Sequence, residues 1–393
     1  MIDRLPFPPS GELFTPPPRY RELQETAPVV PVTTSTGDPA WLVARHADVA
    51  ALLGDERLGR SHPEPERAAR VSTSVLLGGP VGDHATERER HRRMRRLLGP
   101  AFSARRISLP QPRVAQLVDR LIDALPAPPA DWHRAFSVPL PVLVICELLG
   151  VPVDDQDLFR GWAQDMTDLT APDSAMAARQ MLVAYTHRLI VAKRVDPGED
   201  VISDLIAAQA EFALTDQDIA GTAAMLLFAG HETTVVRLDL GLVLLLTHRE
   251  YFDALSADPD TTPTVVEEIL RLSSLSSAVG GLPRYAHEEI RLGEVTISTG
   301  DAVILAPHAA NRDPRVFPDP DVFDPIRAPN PHLAFGHGSH YCIGASLARL
   351  ELTEALVRIA ARLPELKIAV AADTLRLRDN HLTGGLAELP VAW

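Results

Sequence analysis

Residues 335–344 read Phe-Gly-His-Gly-Ser-His-Tyr-Cys-Ile-Gly, and this stretch decides how the rest of the 393-residue chain is read. Gly336, Gly338 and Gly344 surround Cys342. Glycine lets a backbone take positive-φ turns and approach a flat ligand closely. Directly afterwards, Ala-Ser-Leu-Ala-Arg-Leu-Glu-Leu-Thr-Glu-Ala-Leu places apolar residues at the three- and four-residue spacing of a helix. Cys342 therefore stands just before a helix N-terminus, where free amides and the positive end of the dipole favour a thiolate, the form of cysteine that ligates a metal. A lone cysteine is more often a small buried hydrophobe. The nearby His332, His337 and His340 raise zinc as another reading, but a structural zinc site wants four ligands in a recognisable Cys/His spacing and this stretch offers one cysteine.

Two other stretches depart from ordinary patterning. The chain is acidic, with a formal charge of −14, yet 88–96 reads Arg-Glu-Arg-His-Arg-Arg-Met-Arg-Arg. Such a run is often only a solvated helix face. His91 and Arg95, however, are four apart, share one helical face and can reach the same buried anion. Further on, a long apolar helix opens at Thr215, with Asp218 three residues later as a variant capping box, and runs to about His248. In its middle lies Ala-Gly-His-Glu-Thr-Thr, 229–234. A glycine, an acid and a threonine are costly inside a buried helix, and such a violation suggests a site. The plainer alternative is a threonine hydroxyl bonded back to the preceding turn. Glu268 and Arg271, three apart on the next helix, are an ion pair worth only a fraction of a kcal/mol if exposed.

Composition bounds the function. With 46% hydrophobic and 23% charged residues the chain is an ordinary globular protein, and its acidic balance suggests no nucleic-acid role. The start, Met-Ile-Asp-Arg-Leu-Pro-Phe-Pro-Pro, has no apolar run to serve as a leader or membrane anchor, so a cytoplasmic protein with no membrane attachment is expected. Two cysteines, Cys146 and Cys342, make no disulfide framework. The pattern predicts a short helix at 20–26, a hairpin within 29–43, a helix over 46–53, a long Ser/Pro/Gly-rich loop at 59–87, four or five helices between 107 and 206, and short strands at 290–292 and 295–297.

The stretch at 335–344 matches Phe-x-x-Gly-x-x-x-Cys-x-Gly and resembles the haem-ligand loop of the cytochrome P450 family. The other landmarks follow in order over essentially the whole chain. The resemblance implies a mainly α protein of cytochrome P450 fold: one domain over 1–393, large and helical, with a small β-rich region and a long central helix crossing over the haem. It implies heme b (iron protoporphyrin IX) with Cys342 as its metal ligand. Phe335 and Gly336 then pack under the macrocycle, while His91, Arg95, Arg284 and His340 bind its propionates. In 229–234 it implies that Gly230 opens a groove for dioxygen, Thr233 donates a hydrogen bond in oxygen activation and Glu232 relays protons. Glu268, Arg271 and Arg327 become a buried structural triad. Val75, Leu76, Leu77, Leu226, Ala229, Ala278, Val279, Leu382 and Thr383 become substrate-pocket residues.

The implied activity is a monooxygenase using O2 to hydroxylate or epoxidise an apolar small molecule of specialised metabolism. Electrons come from NAD(P)H through a ferredoxin and its reductase, with Arg92, Arg93 and Arg96 facing outward toward such a partner. The substrate is free or carrier-protein-bound. Oxidative C–C or C–O coupling on the same haem is an alternative activity, and a haem- or zinc-binding protein without turnover is an alternative of another class.

Overall fold

Branched Cβ atoms restrict χ1 and favour pleated backbone. In the computed structural model, which describes residues 2–108, 111–273 and 279–393, the valine-rich cluster at 29–43 forms the expected hairpin. The chain divides into two units. The first comprises Met1–His91, Glu267–Cys342 and Arg378–Gly384; the second comprises Arg92–Val266, Ile343–Leu377 and Gly385–Trp393.

The first unit is built on a six-stranded sheet. Its strands are β1 (Asp3–Arg4), β2 (Val29–Thr33), β3 (Pro39–Val43), β4 (Leu58–Gly59), β5 (Leu282–Ala286) and β6 (Ala302–Leu305), in the order β1-β2-β3-β6-β5-β4. β3 pairs in parallel with β6, Trp41 opposite Val303, and β5 pairs antiparallel to β6, Arg284 opposite Val303. Successive side chains point to opposite faces, so Leu42, Tyr285 and Ile304 enter one apolar cluster while Val43, Val303 and Leu305 enter another. Helix α1 (His46–Leu53) covers the second face through Val49, Leu52 and Leu53.

One carboxylate ties the rest of this unit together. Glu268, on the helix Thr262–Leu272, is fully buried, and so is Arg271 one turn on. Glu268 Oε1 accepts from Arg271 Nη2 (2.7 Å), the Asp324 amide (3.0 Å) and Arg327 Nε (3.3 Å). Oε2 accepts from Arg271 Nε (2.8 Å) and Asn330 Nδ2 (3.0 Å). Arg271 further donates to the carbonyls of Asn311, Pro320 and Val322. A strand-poor stretch, 311–330, is thereby held by side chains. Asn311 Oδ1 then accepts from the Leu333 amide at 2.7 Å, at the threshold of the Cys342 loop.

The second unit is helical. Five helices fall between 111 and 207, among them α3 (Pro139–Leu149), α4 (Gln156–Thr167) and α5 (Pro172–Val195). α2 (Glu87–Leu98) precedes them and bridges the sequence boundary between the units. The longest helix, α6 (Asp216–Thr247), opens on the expected capping box, the Asp218 amide donating to Thr215 Oγ1 at 3.1 Å and the Thr215 amide to Asp218 Oδ2 at 3.0 Å. Thirty-two residues at 1.5 Å each give about 48 Å. Its most apolar stretch is long enough to cross a membrane, but 67% of that stretch is buried against the protein. α8 (Ala345–Arg362; α7 being Thr262–Leu272) begins after Gly344, as the pattern at 345–356 predicts. The sequence reading has no counterpart for a small sheet of Lys367–Ile368, Pro390–Ala392 and Ala130–Asp131.

Burial alone would raise the Glu268 carboxyl, but the hydrogen bonds and charges of Arg271, the Asp324 amide and Arg327 hold it below the usual carboxylate range. A carboxyl depressed by folding contributes stability that is present above its unfolded pKa and lost as pH falls through the folded one. Glu268→Gln should therefore flatten the acid limb of stability against pH. Glu268→Ala, which leaves Arg271 buried without its anion, should cost about 3–5 kcal/mol in chemical denaturation.

Candidate active site

Cys342 is exposed, on a loop closed by its own backbone. Its amide donates to the Phe335 carbonyl (2.8 Å), the Gly336 amide to the Leu333 carbonyl (3.0 Å) and the Tyr341 amide to the Gly338 carbonyl (3.0 Å). Gly336 (φ +74°) and Gly338 (φ +70°) adopt the left-handed conformation that side chains resist. Gly338 is constrained twice, because a Cβ there would fall 2.6 Å from the Gly54 Cα at the end of α1. The three histidines close to Cys342 in sequence turn to separate partners. His332 Nε2 meets Glu267 Oε2 at 3.0 Å, His337 lies against Gly54, and His340 stacks on His91 with ring centroids 3.9 Å apart.

Around His340 the first unit gathers cations. Arg284 on β5 is 8% exposed, and among the described residues its guanidinium donates only to the Pro283 carbonyl (2.8 Å). Arg60 donates to the Leu76 carbonyl (3.0 Å), while its buried Nε has no partner among the described residues. Burial and the neighbouring Arg60 push Arg284 down to about 10. Burial, His91 and Arg284 push His340 down to about 4. Glu87 is the acid in the cluster, and it is already engaged: the amides of Arg60 (2.7 Å) and Ser61 (2.9 Å) and the Ser61 hydroxyl donate to it. Those bonds outweigh burial and keep its carboxyl below the usual range. The cluster thus holds more buried positive charge than its own acid answers.

In the second unit, α6 runs helically through 229–234. Thr233 Oγ1 donates to the Ala229 carbonyl (3.0 Å), the back-bonded geometry that was the plainer expectation. Glu232 is 4% exposed, its Oε1 3.8 Å from His231 Nδ1. Met225, Ala229 and Thr233, four apart, form an exposed stripe on a helix whose other residues from Ile219 to Leu245 are buried or half-buried. Gly230 is packed: a Cβ there would lie 2.9 Å from Ile145 Cδ1 on α3, so the glycine first serves a close helix–helix approach.

Several expectations change in detail. Leu226 is buried at 5% exposure and lies off the exposed stripe, on which Met225, at 53%, stands with Ala229; one residue turns a helix by about 100°, and an apolar stretch does not reveal its own phase. Arg92 and Arg96 are exposed, but Arg93 is half-buried, with its Nε inside the protein. Phe335, His91 and Arg95 are half-buried, as are Val75, Leu76 and Leu77, which sit in a tight turn where the Gly78 amide meets the Ser74 carbonyl and the Val71 amide meets the Gly78 carbonyl. Val279 (2%) and Leu382 (4%) are buried, and Thr383 is half-buried. Ala278 lies outside the described residues. Sequence reasoning missed Arg60, which sits in a Ser/Pro/Gly-rich loop without a periodic frame, and no local pattern marks it.

A family model described as Cytochrome P450 matches residues 174–363. Pentalenolactone synthase of Streptomyces exfoliatus is 43% identical, covering 100% of this chain and 99% of that protein. This chain belongs to the cytochrome P450 family. Among solved structures, SgvP, involved in the tailoring step of griseoviridin, superposes on this P450 with a TM-score of 0.93 at 37% identity, each chain fully covered. PimD, a pimaricin epoxidase, does so at 0.88 and 38% identity, covering 100% of this chain and 99% of its own. The protein is a cytochrome P450 monooxygenase with the P450 fold. Members use haem, O2 and NAD(P)H-derived electrons that bacterial P450s take from partner proteins such as a ferredoxin and its reductase.

The residues present fit that cofactor. A macrocycle bearing two carboxylates answers the surplus positive charge of Arg60 and Arg284, with the stacked rings of His91 and His340 beside them, and the glycine loop presents an exposed thiol. A histidine whose pKa is lowered by folding contributes stability that is complete above its unfolded value and lost as pH falls. Haem-free protein should therefore lose stability between about pH 6.5 and about 4, as His340 is forced to accept a proton. Denaturation midpoints across that window check this, and Arg284→Gln, which removes one of the opposing charges, should shrink the slope.

Proposed function

We propose that this P450 inserts one oxygen atom into an apolar specialised metabolite, by hydroxylation or epoxidation, on a heme b whose iron is held by Cys342. The supporting observation is an exposed cysteine on a glycine loop, two residues from a histidine in a buried cluster of cations whose carboxylate is already engaged. When bound, the haem supplies the reductive activation of dioxygen. Arg60, Arg284, His91, His340 and Arg95 bind its two propionates, and Phe335 and Gly336 give the macrocycle a close floor. The two units act as one domain, in keeping with relatives that match the chain end to end.

Thr233, exposed on the stripe of α6 and bonded at rest to the Ala229 carbonyl, turns its Oγ1 proton outward during oxygen activation, and Glu232, buried beside it, replenishes that proton. Met225 and Ala229, on the same stripe, offer a substrate apolar surface in the second unit, and the turn at 75–77 offers one in the first. The naming of relatives as pentalenolactone synthase and pimaricin epoxidase supports an antibiotic-like product. The protein works in the cytoplasm, where an acidic ferredoxin docks on Arg92 and Arg96.

Cys342→Ser should abolish the strongly red-shifted Soret band of the reduced, carbon monoxide-bound protein; retention of that band with full turnover would remove Cys342 as the ligand. Thr233→Ala should leave substrate binding and first-electron reduction intact but divert reducing equivalents to hydrogen peroxide, lowering product per NAD(P)H. General acids typically contribute ~10²- to 10⁴-fold. Tight coupling in this variant, with a substrate lacking a hydroxyl near the iron, would make the motif structural. Arg92→Glu with Arg96→Glu should slow reduction by an acidic ferredoxin and flatten its salt dependence, which stopped-flow reduction at several ionic strengths measures.

A further inference from the structure

Helix α5 lies at the surface of the second unit, with Ala175, Ala178, Leu182, Tyr185, Leu189 and Ile190 turned inward and buried. A surface helix ordinarily shows water its charged and polar side chains. The outer side of α5 departs from that pattern. Ala177, Gln180, Met181, Ala184, Arg188 and Val191 follow one another there at helical spacing, and all are exposed, Met181 at 50% and Val191 at 64%. Exposed apolar side chains gathered on one helix face, unlike ones scattered singly, point to a contact surface.

The charges on that face say what covers it. In a chain of formal charge −14, α5 carries no carboxylate from 174 to 195. Lys193 and Arg194 are already paired, with Asp200 and Asp216. Arg188 lies over the Tyr185 ring, and Asp173 is exposed in the first turn; neither makes an ion pair among the described residues. Each helix thus offers one unanswered acid near its start and one unanswered cation seven residues before its end. Laid antiparallel about a two-fold axis between Gln180 and Met181, two copies bring Asp173 of each opposite Arg188 of the other. The same register sets Ala177 opposite Ala184, where small side chains let the axes approach, and Met181 opposite Gln180. Such a contact is self-complementary, so every favourable pair occurs twice. Parallel copies would set Arg188 against Arg188 and align the helix dipoles unfavourably. From 173 to 191 the strip is about 27 Å long and about 10 Å wide. That is about 270 Å², well under the roughly 800 Å² per partner of a stable interface, so the contact is transient.

We propose that the outer face of α5 is an interface on which a second copy of this P450 docks antiparallel, in a weak dimer held by reciprocal Asp173–Arg188 pairs around an apolar centre.

Sedimentation of the haem-loaded enzyme over a range of concentrations tests this. The parent should dimerise reversibly, and less so as salt rises. A parent still monomeric at about 1 mM would overturn the proposal. Asp173→Arg alone and Arg188→Glu alone should each lose association, because like charges then face each other at both ends. An equimolar mixture of these two variants should regain it, since every opposed pair in the mixed dimer is of unlike charge. Both positions are exposed, so each variant should keep the parent's Soret spectrum and turnover as a monomer. Association that persists equally in both single variants would place the contact elsewhere and reject this face. Variants that stay monomeric when mixed would reject the Asp173–Arg188 register and the dimer with it. Binding of an acidic ferredoxin to this face, lost in Arg188→Glu while the enzyme alone stays monomeric, would overturn the second copy as its occupant.

Discussion

A single carboxylate, Glu268, accepts hydrogen bonds from Arg271, Arg327, Asn330 and the Asp324 amide with no water-accessible surface of its own. Burying one charge is costly, and a pair is sustained only where every lone pair and every N–H finds a partner. Here the partners are drawn from a stretch that forms almost no regular ladder. The consequence is positional. Backbone that would otherwise be free to shift is pinned from 311 to 333, and the cysteine loop begins where the pinning ends.

That loop then takes its shape from contacts as rigid as a strand's. Gly338 against Gly54 leaves no space for a side chain, and the Cys342 amide is committed to the Phe335 carbonyl. A functional side chain on a loop is usually less well placed than one on a helix or strand. Two glycines in contact and one satisfied carboxylate supply the rigidity that secondary structure does not.

Much of this was readable from residue types alone, for physical reasons that differ between features. The capping box at Thr215 and Asp218, the hairpin at 29–43 and the short strands Ile290–Leu292 and Val295–Ile297 are local, so their signals lie within a few residues of each other. The Glu268–Arg271 pair was visible as a spacing, and Arg327 as its third member only through family resemblance; that all three meet is a fact of tertiary packing. Which residues of α6 are exposed was not legible, Leu226 being buried and Met225 exposed, because a helix apolar nearly all round has no polar face to fix its rotation. Arg93 is drawn inward although its neighbours Arg92 and Arg96 are exposed, since in a run of arginines composition cannot say which will be covered. Arg60 was invisible because its meaning depends on Arg284 and His340, more than two hundred residues away in sequence and adjacent only once β4 pairs with β5.

Arg60 also touches a second matter. Its guanidinium spans two tasks, donating to the Leu76 carbonyl in the turn at 71–78 while lending charge to the cluster around His340. A group shared in this way makes two equilibria one. If an anion settles on the cluster, Arg60 is fixed, and the Leu76 turn loses conformational freedom at the same moment. By thermodynamic reciprocity, anything that orders that turn must tighten the hold on the anion by the same factor. The turn and any anion held by the cluster are thus coupled through one side chain, so the order of the one depends on whether the other is in place.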